Sequence, residues 1–273
     1  MAFKFLDIIP KEHGAWAILL VPYLSGTFAS GKPGVPAFLL LVCVISLYLL
    51  RGCAEFYLSN LIKKKEHYQK IKSFYFLTIS FVALFLLTST PLLFYFQLCN
   101  LLVLGLLAFL FISLYYLLIL KKKNYRMSQQ FIAFSGLTLS APAAYYATTG
   151  KWDANIFILW IVNVIFFQLG MLYVHNRIGL NKKRGQIVHF LDKLRFARNL
   201  IWGWCFSVII FYGLILAGLI HPVFFIILLP ITIHIIAGIF FDKRDLKIKR
   251  MGYSLVGQNI FFTIILIYLF RLY

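Results

Sequence analysis

Apolar residues do not alternate with polar ones along this chain. They fall in continuous runs separated by short basic segments. A membrane-crossing helix takes about 20 mostly apolar residues. The pattern predicts nine such spans, at roughly 14–30, 36–60, 73–90, 92–120, 129–148, 155–175, 199–220, 222–241 and 254–271. The second and fourth are long and are expected to tilt or to project past the bilayer. Between the third and fourth, a tight turn is placed at Thr88–Pro91. Proline lacks a backbone donor and disfavours helix in the residue before it. The reading is an all-α, polytopic transmembrane bundle forming a single integral membrane domain over 1–273.

The basic residues set the orientation. With the N-terminus inside, the inner face receives two, five, four, seven and five of them in successive segments, 23 in all. The outer face keeps only Lys32, Lys151 and Arg271, and Arg51 falls within the second span. Inner loops carry the excess of Lys and Arg, so the expected topology is N-inside and C-outside. Outer connections are short: Gly31–Val35, the 88–91 turn, Thr148–Ala154 and His221–Pro222. The longest inner loop, 176–198, contains IVHFLDKLRFAR. Ile187, Val188, Phe190, Leu191, Leu194 and Phe196 leave a basic opposite side, which predicts a short amphipathic helix on the membrane surface.

Composition agrees with the pattern and narrows the class. Of 273 residues, 62% are hydrophobic and 13% charged, against nearer half and a quarter in soluble domains. That excludes soluble domains, disorder and a disulfide scaffold. Continuous rather than alternating runs exclude a membrane β-barrel. The net charge of +19 is explained by topology and by anionic lipid headgroups as partners. No segment is long enough to build a basic nucleic-acid surface. Cys43, Cys53, Cys99 and Cys205 lie in or beside apolar runs without metal-like spacing and are read as packing residues. The first residues, MAFKFLDIIPKEHG, carry Asp7, Glu12 and Pro10 before the apolar run. They are expected to be retained rather than cleaved as a signal.

Polar side chains within spans are costly and mark sites. Arg51 lies about 22 Å along the second span, within a core roughly 30 Å thick. Glu55 follows on the same helix face at i+4. The pair is either self-contained, with Arg51 reaching the headgroups, or cavity-facing and able to bind an anion or a proton. Gln168 and His234 fall near the same depth on the sixth and eighth spans. Asn163 lies shallower. These amides and the imidazole either tie helices together or contribute to a shared ligand-binding layer.

The most concentrated signal is Pro10-Lys11-Glu12-His13-Gly14-Ala15-Trp16. A base, an acid and an imidazole stand where the first span starts. Trp16 suits the membrane interface, and Glu12 suits a helix N-terminus. His175-Asn176-Arg177 closes the sixth span at the same inner face. If the first, second and sixth spans adjoin, Lys11, His13, Arg51, His175 and Arg177 ring one cytoplasmic cavity. Such a ring suits a phosphate or carboxylate. Glu12 and His13 are the candidates for moving a proton. Lys11, Trp16, Arg51, Glu55, Gln168, His175, Asn176, Arg177 and His234 are the candidates for holding a ligand. No zinc-protease, phosphate-loop, dinucleotide or nucleophile-elbow motif is present. Of the eight acidic residues, only Asp242 and Asp245 are close, and Lys243 and Arg244 separate them. A carboxylate cage for Mg²⁺ is therefore not expected. No metal ligand and no cofactor is assigned.

PKEHGAWAILLVPYLSG at 10–26 resembles the start of the YwiC-like family of bacterial membrane proteins. YLLRG at 48–52, LTLSAPAAYYATTG at 137–150 and LYVHNRIG at 172–179 are similar to it as well. The resemblance implies a bacterial inner-membrane protein and no particular reaction. A fainter likeness runs to UbiA-type prenyltransferases. It rests on Pro10, Pro22 and Gly26 in the opening helix and on the predicted nine-span, N-inside plan. That likeness implies a UbiA-like arrangement with a cavity capped by cytoplasmic loops. Its two Asp-rich motifs would stand at the inner ends of the second and sixth spans. This chain has RGCAEFYLSN and HNRIGLNKKR there, which cannot hold two Mg²⁺ ions in that manner. Arg51 and Arg177 would instead meet a phosphate directly.

The functional expectation is a cytoplasm-facing cationic cavity for an anionic, lipid-like molecule. Within it, a UbiA-like transfer onto a lipid or isoprenoid phosphate would run without the usual Asp-rich motifs. The rival is a non-enzymatic protein, either a transporter or an assembly factor for a larger complex. A nearly apolar outer half counts against transport.

Overall fold

The computed structural model describes residues 13–31, 33–63, 68–120, 126–182, 190–240 and 248–273. Among them every regular element is helical. In chain order these are α1 (His13–Ala29), α2 (Val35–Lys63), α3 (Tyr68–Thr90), α4 (Leu101–Leu120), α5 (Arg126–Leu137), α6 (Ser140–Thr149), α7 (Ala154–Lys182), α8 (Phe190–Phe196), α9 (Arg198–Leu216), α10 (Leu229–Phe240) and α11 (Ile248–Leu272). Six stretches are long and apolar enough to cross a membrane: Val35–Glu55, Tyr75–Tyr95, Leu101–Leu120, Ala154–Leu180, Arg198–Leu216 and Met251–Leu272. Trp16–Ala29 and Pro222–Ala237 are shorter apolar helices.

Two departures from the nine-span expectation have local causes. The fifth span, placed at 129–148, is instead two short helices, α5 and α6, with a turn at Thr138 and Leu139. Pro142 is the reason. It has no N–H to give the Thr138 carbonyl four residues earlier, and its ring crowds that carbonyl. The Ala141 N–H takes the Thr138 carbonyl instead, at 3.0 Å, so the break leaves the backbone bonded.

The turn placed at 88–91 lies further along. Helix runs through Thr90 and continues as a π turn over Pro91–Tyr95, where the Phe96 N–H donates to Pro91 O at 3.0 Å. The hydroxyls of Thr88, Ser89 and Thr90 bond back to carbonyls between Leu84 and Leu86. Such back-bonding occupies the hydroxyls themselves within an apolar run. The chain reverses only at Gln97, whose φ of 55° is left-handed. The fourth span is correspondingly α4 alone.

The core forms around α6 and α7. Residues 140–147 of α6 are all buried, and α7 is the most enclosed of the six long spans, with 67% of its window buried against 6% for α4. α1 crosses α6 at close range. A Cβ on Gly26 would stand 2.0 Å from the Ala141 carbonyl oxygen. Ser140 Oγ donates across the same interface to Leu19 O at 2.9 Å. α11 closes the other side of α1. There Arg271 Nε donates to Phe28 O at 3.0 Å, and α11 also packs on α7, where Phe262 stacks on Phe166 with centroids 3.8 Å apart.

This crossing predicts a specific steric sensitivity. Gly26→Ala is expected to lower stability by about 1–3 kcal/mol through overpacking, read as a lower thermal midpoint of the detergent-purified protein. Gly105→Ala, with nothing within 4 Å of the added carbon, is expected to leave it unchanged. Equal midpoints for the two variants would mean that α1 and α6 are not in contact at Gly26.

Candidate functional site

Cross-helix contacts fix which residues share a level. Trp16 packs edge-on against Tyr48 with centroids 4.9 Å apart. Tyr116 Oη reaches Arg51 O at 3.5 Å. Gln168 Nε2 donates to Phe131 O at 2.9 Å. Gly203 lies against the Leu172 side chain, and Tyr173 meets His234 at 5.6 Å. One end of the bundle therefore gathers the helix termini that adjoin the basic segments. The candidate site residues fall at this end in two groups.

The first group is on α2. Arg51 Nε pairs with Glu55 Oε1 at 2.9 Å, with side chains 22% and 43% exposed. Its guanidinium lies over the Tyr115 ring at 4.8 Å from the centroid. The i+4 spacing makes the ion pair, and the Tyr115 ring supplies a face for the cation. Arg51 is thus turned towards α4. A half-exposed pair of this kind is worth about 0–1 kcal/mol.

The second group is on α7. Its inner turns carry His175, Asn176 and Arg177, which the sequence reading leaves at the end of a span and the structure keeps in helix. Asn176 is 7% and Arg177 6% exposed. Asn176 Nδ2 has no hydrogen-bond partner among the described residues. A buried donor without an acceptor costs about 1–3 kcal/mol, and a buried guanidinium is retained only with compensating partners. Gly179 lies beneath the Phe196 ring at the end of α8; a Cβ there would stand 2.4 Å from Phe196 Cζ. α8 therefore folds back across the end of α7, next to the buried Arg177.

Tyr173 stands one turn before Arg177 on α7. Its partner His234, on α10, shares a 2.5 Å hydrogen bond between Nε2 and Ser254 Oγ on α11. Gln258 Nε2 donates to Pro230 O at 3.0 Å. Deeper in the bundle, Asn163 is fully buried and its Nδ2 donates to Leu159 O at 2.8 Å and to Ser25 Oγ at 3.3 Å. Asn163 therefore links α7 to α1. The Oε1 atoms of Gln168 and Gln130 have no partner among the described residues.

The structure thus brings Tyr173, His234 and Ser254 together near Arg177. Arg51 and Glu55 stand apart, against α4. Trp16 joins α1 to α2 through Tyr48. Lys11 and Glu12 lie outside the described residues, and of His13 only its place at the start of α1 is described. Sequence reasoning missed Ser254, Tyr173 and the tyrosines on α4. An isolated Ser or Tyr in an apolar run carries no signal until a partner helix is known. Gln258 was visible as an amide within the ninth span. Among the described residues no group of three or more His, Cys, Asp or Glu is placed to hold a metal ion.

A family described as YwiC-like protein matches residues 9–145 of the chain. A relative from Bacillus subtilis (strain 168), named uncharacterized protein YwiC, is 26% identical over 263 residues. The alignment covers 95% of this chain and 96% of the relative. No solved structure matches the chain.

Proposed function

The chain belongs to the YwiC-like family, and we propose that it is a bacterial inner-membrane protein that binds an anionic, lipid-like molecule at its cytoplasmic end, through Arg177 and Asn176. The observation that supports this most is the Asn176 amide donor, 7% exposed and without an acceptor among the described residues, next to the buried Arg177. A phosphate or carboxylate headgroup supplies the acceptor oxygen this amide calls for and suits the charge of the guanidinium. The surrounding apolar helices accommodate a hydrocarbon tail. In this reading Lys11, His13 and His175 are further candidates for holding the headgroup, and Glu12 or His13 relays a proton if chemistry accompanies binding. Arg51 is occupied by Glu55 and the Tyr115 ring and serves to hold α2 against α4. RGCAEFYLSN and HNRIGLNKKR give transfer by way of paired Mg²⁺ ions no ligand set, so the proposal stops at binding.

The orientation belongs to the same proposal. The end that gathers the basic segments faces the cytoplasm, and nine apolar segments, two of them short and one broken, thread the bilayer. The Gln97 turn then faces outward. Cys99 beside it is exposed, while Cys43 and Cys53 are buried and Cys205 is partly covered. A membrane-impermeant maleimide is expected to label Cys99 in cells with a breached outer barrier and an intact inner membrane. Labelling only after the inner membrane is permeabilised would reverse the orientation.

Binding is tested by native mass spectrometry and thermal shift of the detergent-purified protein with short-chain phosphatidic acid. Phosphatidylcholine of the same chain length serves as control. The anionic lipid is expected to bind and raise the midpoint, and Asn176→Leu is expected to weaken that binding by roughly tenfold, the loss of one charge-assisted hydrogen bond. Asn176→Leu that is stabilised and binds phosphatidic acid unchanged would show the amide to be a packing residue and overturn the proposal.

A further inference from the structure

The His234–Ser254 contact has a geometry that helix glue does not require. Nε2 lies 2.5 Å from Oγ. In the tautomer that carries its proton on Nδ1, Nε2 holds the lone pair and accepts the serine proton. Gln258 Nε2 donates to Pro230 O at 3.0 Å and ties α11 to the helix that carries His234. The Tyr173 ring lies edge-on to the imidazole, with an interplanar angle of 85°, and fixes its plane. A hydroxyl, a base within hydrogen-bond reach and a third group orienting that base make up an activated nucleophile.

Position selects the substrate class. Ser254 is in the second turn of α11, at the basic end of the bundle. Its neighbours Tyr253 and Val256 are exposed, so the surface beside the pair is apolar and faces the bilayer. That level is the boundary between hydrocarbon and headgroups, where the ester bonds of acyl lipids lie.

We propose that Ser254 and His234 cleave a carboxylic ester of a lipid. Ser254 Oγ attacks the ester carbonyl carbon while its proton passes to His234 Nε2. The bond from that carbon to the alkoxy oxygen breaks, and the alcohol leaves with the proton returned by His234. Water, deprotonated by His234 in turn, attacks the acyl-serine. The fatty acid departs, and the Ser254 hydroxyl is restored with the returned proton.

The experiment uses the full chain in detergent and a fluorophosphonate bearing a long alkyl chain, with the adduct located by peptide mass spectrometry. One adduct is expected, on Ser254, absent in Ser254→Ala and formed about 100-fold more slowly in His234→Asn, the usual contribution of a general base. A wild-type protein that stays unlabelled at Ser254 overturns the proposal, and this result needs no variant to fold. Equal labelling rates for wild type and a folded His234→Asn overturn it as well. The probe carries no anionic headgroup, so the outcome is separate from that of phosphatidic acid binding at Arg177.

Discussion

Inside a bilayer the backbone has no water to bond with, so a break in a helix must be enclosed by the protein itself. That constraint meets this chain most sharply at Thr138 and Leu139. Pro142 interrupts what would otherwise be one spanning helix, and the 10 residues of α6 are too few to cross alone. The break is tolerated because α6 is sealed on all sides: by α1 at Gly26, by α7, and by α2. Gly26 is the enabling residue, since any side chain there would meet the Ala141 carbonyl. The α1 residues that follow KEHGAW and the SAPAAYY stretch of α6 are thus the two halves of one contact.

The arrangement of α7 follows from that seal. Held between α6, α9 and α10, it is the helix that buries Asn163, Gln168, Asn176 and Arg177. Asn163 spends its amide on α1, Gln168 spends its amide on α5, and the inner turn presents Asn176 and Arg177 to the interior of the basic end. Arg51 on the more exposed α2 is paired with Glu55 and lies over Tyr115. The proposed ligand reading rests instead on α7, where the buried Asn176 donor has no acceptor among the described residues.

Much of this architecture was legible from residue order. Long apolar runs located α2, α7, α9 and α11, because burial in lipid leaves a signal in every residue of the span. The Arg51–Glu55 pair was legible because i+4 neighbours meet on any helix. The broken fifth span was not, since Pro142 sits in an apolar run and spanning helices tolerate proline when neighbours satisfy the freed carbonyl. The turn expected at Pro91 moved because the chain continues past it as a π turn, with the Phe96 N–H on Pro91 O. The His234–Ser254 pair was invisible because it joins two helices, and neither residue announces its partner. Burial of Asn176 and Arg177 depends on α7 continuing to Lys182 and α8 folding back over its end, which the loop composition did not specify.

The account rests on α6 being sealed within the bundle, and hydrogen–deuterium exchange of its amides tests this most directly. Residues 140–147 are expected to exchange as slowly as residues 159–169 of α7, over hours, because both lie where opening requires the bundle to come apart. Exchange of the α6 amides within minutes, while α7 stays protected, would place α6 at the surface and contradict the account.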